Sequence, residues 1–111
     1  MPVQRYHEAQ VQTPAPGVER RIVHTDKLLT AVLDFSNGPQ EEPDPMHSHP
    51  HEQTCYIAEG ELIFFMEDEE PQHLSAGDMF FVPSGKKHSI QLLSAAARLI
   101  DSFSPVREDF L

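Results

Sequence analysis

The 111-residue sequence has little of several features that mark common protein classes. It contains one cysteine, Cys55, so no disulfide can form within the chain, as is typical of proteins from a reducing compartment. Its longest uninterrupted apolar run, residues 62–66, is far shorter than the about 18 residues that a membrane span needs. The polar start of the chain also lacks the apolar core of a signal peptide. We therefore expect a cytoplasmic protein with no membrane partner.

Positive charge is also scarce. Eight Lys and Arg stand against 18 Asp and Glu, which gives a formal net charge of -10. This balance opposes binding to a phosphate backbone, so we expect no nucleic-acid partner. The length suits one domain with a small core, and ten prolines with five glycines indicate many turns rather than a long helical bundle.

What the sequence does contain is a series of short segments rich in β-branched and aromatic residues, separated by turns. Residues 1–17 are polar and predict an N-terminal arm or edge segment, which leaves 18–111 as the folded domain. Two pairs of segments predict hairpins: 18–24 with 27–35, and 54–58 with 62–67. About eight or nine strands at regular spacing predict an all-β, antiparallel sandwich or barrel.

Four of the seven histidines fall in two short stretches, which contain His47, His49, His51 and His88. Residues two apart in an extended strand point to the same side, so the imidazoles of His47 and His49 should converge. Gln53 has the same parity, and His88 begins a later strand that could pair alongside. Three imidazoles and an amide oxygen suit a divalent transition metal.

Less specific interpretations stand beside this one. The same histidines are often ordinary polar residues of a strand. His51 shares the parity of the predicted ligands, and it is open whether it is a ligand, a neighbour of the ligands or a surface residue. Cys55 also faces inward by parity, as a small buried apolar residue or as a ligand or redox group.

Two residue patterns resemble those of the cupin superfamily. The first is His-x-His followed by Glu or Gln and then Gly, and it matches His47, His49, Gln53 and Gly60. The second is Gly, five residues, Pro-x-Gly, two residues and His, and it matches Gly77, Pro83, Gly85 and His88. The resemblance implies a single antiparallel β-barrel, or jelly roll. It also implies one central divalent ion (Zn, Ni, Fe, Co or Mn) bound by His47, His49, Gln53 and His88.

Gln53 stands where many cupin oxygenases carry Glu. Four neutral ligands leave the metal's charge of +2 uncompensated, whereas a Glu ligand would cancel one unit of it. An open coordination position on such a metal favours an anionic oxygen. We therefore expect a small anionic substrate.

The C-terminal stretch, together with residues 46–53, resembles the single-domain pectin-degradation cupins of the KdgF type. That resemblance implies conversion of a 4,5-unsaturated uronate monosaccharide to its linear keto form by ring opening and tautomerisation. It also implies that Asp101 is a general acid or base, that Phe103 walls the substrate and that Arg107 contacts its carboxylate. The alternatives are a turn-capping Asp101, a core Phe103 and an Arg107 paired on the surface with Glu108 or Asp109.

Two other functions compete with a sugar-acid enzyme. One is a non-haem metal dioxygenase of the cupin class, which Gln53 makes less favoured. The other is a non-catalytic cupin that binds a small ligand. Whichever of these functions the protein has, we expect a homodimer, because exposed edge strands favour pairing between copies of a chain.

Overall fold

The computed structural model describes residues 2–111, so Met1, the first residue of the predicted arm, lies outside it. Nine strands follow one another: β1 (Gln12–Ala15), β2 (Val18–His24), β3 (Leu29–Phe35), β4 (Glu52–Glu59), β5 (Glu61–Met66), β6 (Gln72–Ser75), β7 (Met79–Val82), β8 (His88–Leu92) and β9 (Ala97–Ser104). Short 3-10 turns occupy Tyr6–Glu8 and Glu108–Phe110. Within residues 2–111 no helix is long and apolar enough to cross a bilayer.

The strands form two antiparallel sheets, which confirms the all-β, antiparallel prediction. The larger has six strands in the order β1-β2-β3-β9-β4-β7, and the smaller has three in the order β6-β5-β8. The first predicted hairpin is confirmed, because β2 pairs with β3 from Val18 opposite Phe35 to His24 opposite Leu29. Part of the predicted arm joins this sheet, where β1 forms one edge beside β2.

The second predicted hairpin, 54–58 with 62–67, is wrong. β4 pairs with β7 and β9, whereas β5 pairs with β6 and β8, so the two segments belong to different sheets. Gly60 alone separates the strands, and a β-hairpin commonly needs a loop of at least two residues. The chain therefore turns a corner at Gly60, with φ at +100°, and passes from one sheet to the other.

Gly60→Ala is expected to lower the free energy of unfolding by about 3 kcal/mol. A Cβ at this position would lie 2.7 Å from the Cβ of Ala97 and 2.8 Å from the carbonyl oxygen of Ala96, and its φ of +100° disfavours any L side chain. The matched control is Gly77→Ala, whose φ is +96° with no neighbouring atom within 4 Å. Urea unfolding measures both, and equal losses would contradict the steric part of the argument.

Leu29, Ala31 and Phe103 form a small buried cluster, and strands of both sheets share a larger one. The rings of Phe64 on β5 and Phe80 on β7 stack across it with centroids 4.1 Å apart. Burial alternates strictly along most of β4 and β9, as a strand with one buried face requires. The pairing places Asp101 opposite Cys55 and Phe103 opposite Gln53, with all four side chains buried. The predicted inward direction of these residues is confirmed.

A polar network covers the outer face of the larger sheet around Asp34. Its carboxylate accepts hydrogen bonds from Arg98 Nε at 2.6 Å and from the Tyr6 hydroxyl at 2.8 Å, and Arg21 lies 3.5 Å away. Burial alone would raise the pKa of Asp34. The hydrogen bonds from Arg98 and Tyr6 and the charges of Arg98 and Arg21 outweigh it and hold the pKa below its ordinary value.

Asp34→Asn is expected to cost about 1 kcal/mol of unfolding free energy at pH 7. Because the folded-state pKa is depressed, this stabilisation is complete above the pKa of Asp34 in the unfolded chain. It is lost as the pH falls through the lower folded-state value. Urea unfolding at pH 7 and at acidic pH should therefore show a difference from wild type that shrinks in acid. Asp26→Asn, in the exposed turn after β2, is the control, and an equal cost there would contradict a specific role for Asp34.

Candidate metal centre

Two distant stretches of chain meet through an isolated antiparallel bridge between His47 and His88. Each residue donates its backbone N–H to the other's carbonyl oxygen, at 3.0 and 2.9 Å. His47 and His49 lie before the start of β4 at Glu52, so they do not belong to a regular strand. Pro50, which has no backbone N–H to donate, interrupts the pairing here. The predicted convergence of the histidines is nevertheless confirmed. A bridge between two distant segments, and not a long strand, brings His88 to His47.

The imidazoles of His47, His49 and His88 form a tight group. One ligand atom of each lies within 4.8 Å of the other two. The ring centroids of His47 and His88 are 4.3 Å apart, and those of His49 and His88 are 4.9 Å apart. His49 and His88 are buried, whereas His47 is exposed. Three imidazoles in this arrangement can hold a divalent metal ion while one side stays open.

Hydrogen bonds at the far side of two rings set which nitrogen faces the centre. His49 Nδ1 donates to the carbonyl oxygen of His51 at 3.0 Å, and His88 Nδ1 donates to the carbonyl oxygen of Lys86 at 2.9 Å. A carbonyl can only accept, so the proton of each neutral ring lies on Nδ1. Each Nε2 is therefore left with a lone pair, which is the arrangement a metal ligand needs.

The surroundings also keep these rings neutral. Burial, together with the nearby charges of His47, His49 and Arg107, lowers the pKa of His88 to about 4, although the hydrogen bond to the carbonyl oxygen of Lys86 acts in the opposite direction. Burial likewise lowers the pKa of His49, with a contribution from the charge of Arg107. Only an unprotonated imidazole binds a metal, so both rings are in the binding state at neutral pH.

Gln53 lies at the same point as the histidines. Its side chain is buried, and its Oε1 is 3.1 Å from Nε2 of His49. With the His49 proton on Nδ1, both of these atoms are hydrogen-bond acceptors. Two acceptors facing each other in a buried site fit a shared cation. The residues present therefore suit a divalent metal ion.

The two residues left open by the sequence lie beside the centre. The group of side chains among residues 2–111 that could hold a metal ion does not include His51, whose carbonyl oxygen instead orients His49. Cys55 belongs to the hydrophobic core and is 2% exposed. Burial and the nearby Asp101 raise the pKa of its thiol, so it stays protonated and acts as a small apolar residue.

A cavity of about 180 Å³ opens beside the histidines. It is lined by Leu33, Phe35, Asp44, His47, Gln53, Phe80, His88, Ser89, Ile90, Leu99, Asp101, Phe103, Arg107 and Phe110. The structure thus brings Asp101, Phe103 and Arg107 to the cavity that three of the four candidate ligands, His47, Gln53 and His88, also line. Asp44 and Phe110 also line the cavity, but neither belongs to a cupin pattern that would have predicted it. The volume suits a ligand smaller than a typical drug molecule.

Asp101 faces the cavity from β9. Its side chain is 8% exposed, and its Oδ1 is buried with no hydrogen-bond partner among residues 2–111. Burial raises the pKa of Asp101 to about 6, although the nearby Cys55, Gln53 and Arg107 pull it down. A carboxyl group with such a pKa can both give and take a proton near neutral pH. This environment does not fit the alternative of a turn-capping Asp.

Arg107 follows β9 and combines two predicted features. Its Nε and Nη2 donate to the carboxylate of Asp109 at 3.1 and 2.7 Å, which is the pairing that the surface alternative predicted. The side chain is nevertheless only 16% exposed and lines the cavity, with its guanidinium 5.1 Å from the ring centroid of Phe103. The remaining N–H groups of Arg107 are available to an anion in the cavity.

Comparisons with known proteins show the family to which the chain belongs. The family model described as "Cupin domain" matches residues 35–103. The pectin degradation protein KdgF of Dickeya dadantii is 33% identical over 97 residues, which cover 86% of this chain and 84% of that protein. The structure of KdgF from Halomonas sp. superposes with a TM-score of 0.84 at 32% identity, covering 96% of this chain and 97% of that one. An RmlC-like cupin from Shewanella frigidimarina gives a TM-score of 0.85 at 30% identity, with coverage of 97% and 94%. The chain therefore belongs to the cupin family and is similar to the KdgF pectin-degradation proteins over most of its length.

Proposed function

We propose that this cupin is a metal-dependent enzyme that converts a 4,5-unsaturated uronate monosaccharide to its linear keto form. The observation that carries the proposal is the shared cavity, where a buried carboxyl group, Asp101, and a cation, Arg107, lie beside the histidine centre. The similarity to pectin-degradation proteins supports the choice of a uronate. We also propose that the two sheets form the jelly-roll barrel that the resemblance implies.

The proposed metal ligands are His47, His49, Gln53 and His88, and Zn, Ni, Fe, Co or Mn would suit this set of three nitrogens and one oxygen. When bound, the ion supplies a Lewis acid that polarises a substrate oxygen. His49 and His88 contribute neutral nitrogens whose orientation is fixed by the carbonyl groups behind them. Gln53 contributes an oxygen without adding negative charge, so an anionic substrate is not repelled.

The remaining residues bind the substrate and move its protons. Arg107 binds the carboxylate, and Phe103 forms an apolar wall that excludes water from the reacting carbons. In ring opening, the carboxylate of Asp101 takes the proton of the C1 hydroxyl as the bond between C1 and the ring oxygen breaks, which leaves an aldehyde at C1 and an enolate at C5. Asp101 then returns this proton to C4, and the C5 oxygen becomes the keto group. The reaction is an isomerisation, so no proton is gained or lost overall.

The decay of the ultraviolet absorbance of freshly lyase-generated unsaturated uronate tests the proposal. Metal-loaded protein is compared with chelator-treated protein and with no protein, because the ring also opens spontaneously. We expect the loaded protein to accelerate the decay by at least about tenfold over both controls. Equal rates in all three would overturn the proposal. Oxygen consumption with an enediol would then indicate a dioxygenase, and ligand binding without turnover would indicate a binding module.

A further inference from the structure

The last seven residues, 105–111, form a C-terminal segment that returns to the cavity after β9. Two of its side chains, Arg107 and Phe110, line the cavity. The ring of Phe110 meets that of Phe103 edge-on, with centroids 5.5 Å apart at 85°. Val106 and Phe110 also pack against the buried cluster of Leu29, Ala31 and Phe103. The segment is therefore one wall of the candidate site, and its position sets the position of Arg107.

Arg20 on β2 contacts this segment directly. Its guanidinium lies 3.6 Å from the centroid of the Phe110 ring, which is close for a cation over an aromatic face. Its Nε donates to Oε1 of Gln12 at 2.7 Å, and Nε2 of Gln12 donates to the backbone carbonyl oxygen of Phe110. Both the ring and the backbone of Phe110 are thus fixed by β1 and β2.

The ring of Phe110 also contacts Arg107, whose guanidinium is 4.3 Å from the ring centroid. Two like charges on one ring repel each other. Burial lowers the pKa of Arg20, and the charge of Arg107 lowers it further, although Asp109 acts in the opposite direction. An uncharged side chain at position 20 would avoid this repulsion between the two guanidinium groups. The arrangement does, however, place two positive charges near the cavity of a chain whose net charge is -10.

We propose that Arg20 is a positioning residue that acts through the Phe110 ring to fix the guanidinium of Arg107 at the cavity. The carboxylate of Asp109 accepts hydrogen bonds from two donors of Arg107, and the guanidinium of Arg107 packs against the ring of Phe110. Because a free arginine side chain samples many rotamers, a pre-set guanidinium loses less entropy when it binds a carboxylate. That the bound carboxylate belongs to a uronate rests on the proposed function.

Arg20→Gln tests the proposal by steady-state kinetics on unsaturated uronate with metal-loaded protein. We expect KM to rise about three- to tenfold, with kcat and metal content close to wild type. Arg21→Gln is the matched control. Arg21 lies next to Arg20 on β2, faces the opposite side of the sheet and has its guanidinium 4.0 Å from the Tyr6 ring centroid. The control should leave KM unchanged, and an equal change of KM in both variants would overturn the proposal.

A double-mutant cycle distinguishes positioning from a general loss of structure. If Arg20 acts through Arg107, Arg20→Gln should add no further rise of KM in an Arg107→Lys background. Phe110→Leu keeps an apolar side chain but removes the aromatic face, so it should reproduce the rise caused by Arg20→Gln. Phe110→Tyr keeps that face and should raise KM less. Additive effects of the Arg20 and Arg107 substitutions would overturn the proposal.

A spectroscopic measurement decides the positioning role without turnover. In zinc-loaded, ¹⁵N-labelled protein, the Nε–Hε signal of Arg107 is assigned by its loss in Arg107→Lys. Arg20→Gln should shift or broaden this signal, and Arg21→Gln should leave it unchanged. If wild-type protein does not convert the uronate, the proposed function fails while this comparison still stands. An unaltered Arg107 signal in Arg20→Gln would overturn the positioning role itself.

Discussion

His88→Ala is expected to abolish stable metal binding and to lower the rate of uronate ring opening by at least about 100-fold. His88 supplies one of three imidazoles whose ligand atoms lie within 4.8 Å of one another, and the remaining two would form a much weaker site. The contacts that hold this part of the chain to His47 are backbone hydrogen bonds, which an alanine retains. We therefore expect the variant to fold. Metal content after dialysis and the ultraviolet assay measure the two effects.

His24→Ala is the control for this experiment, because His24 is an exposed histidine at the end of β2 and lies outside the cavity. It should keep the metal content and the rate of wild type. A His88→Ala protein that retains one metal ion per chain after dialysis would contradict the assignment of His88 as a ligand. Retained metal together with lost activity would indicate that His88 takes part in the reaction rather than in metal binding.

Asp101→Asn is expected to lower the rate by about 100- to 10,000-fold while metal content stays at the wild-type level. Asparagine has nearly the same shape as aspartate but cannot exchange a proton. The substitution also removes a buried carboxyl group whose Oδ1 has no hydrogen-bond partner among residues 2–111, so we expect no loss of folding. The ultraviolet assay and the metal content of the purified protein check these two expectations together.

Asp34→Asn is a matched control for Asp101→Asn, because it replaces a partly buried aspartate on the outer face of the same sheet. It should affect unfolding but not the rate per folded molecule. Full activity of the metal-loaded Asp101→Asn protein would show that Asp101 does not transfer the proton. The reaction would then depend on another group at the cavity, of which Asp44 is the other carboxylate.

The sequence by itself determined which segments are strands and which of their residues face the core. The two-residue period of a strand places Asp101 and Phe103 on one face of β9, and the structure buries both. The two-residue spacing of His47 and His49 likewise predicted that their imidazoles would converge. These features follow from local geometry, because the side-chain period of an extended chain depends only on neighbouring residues.

Apart from the hairpin of β2 and β3, which segments lie beside each other was decided only by the tertiary structure. Periodicity predicts the buried face of a strand but not its partner, and so β4 and β5 were paired wrongly across Gly60. The approach of Arg20 to Phe110, and of both to Arg107, likewise follows from no sequence pattern. Arg20 lies near one end of the chain, and Arg107 and Phe110 lie near the other. Their contacts depend on how β1 and β2 pair within the sheet whose strand β9 leads into the C-terminal segment. Side-chain direction is a local property of the backbone, whereas the position of Arg107 at the cavity depends on packing between distant parts of the chain.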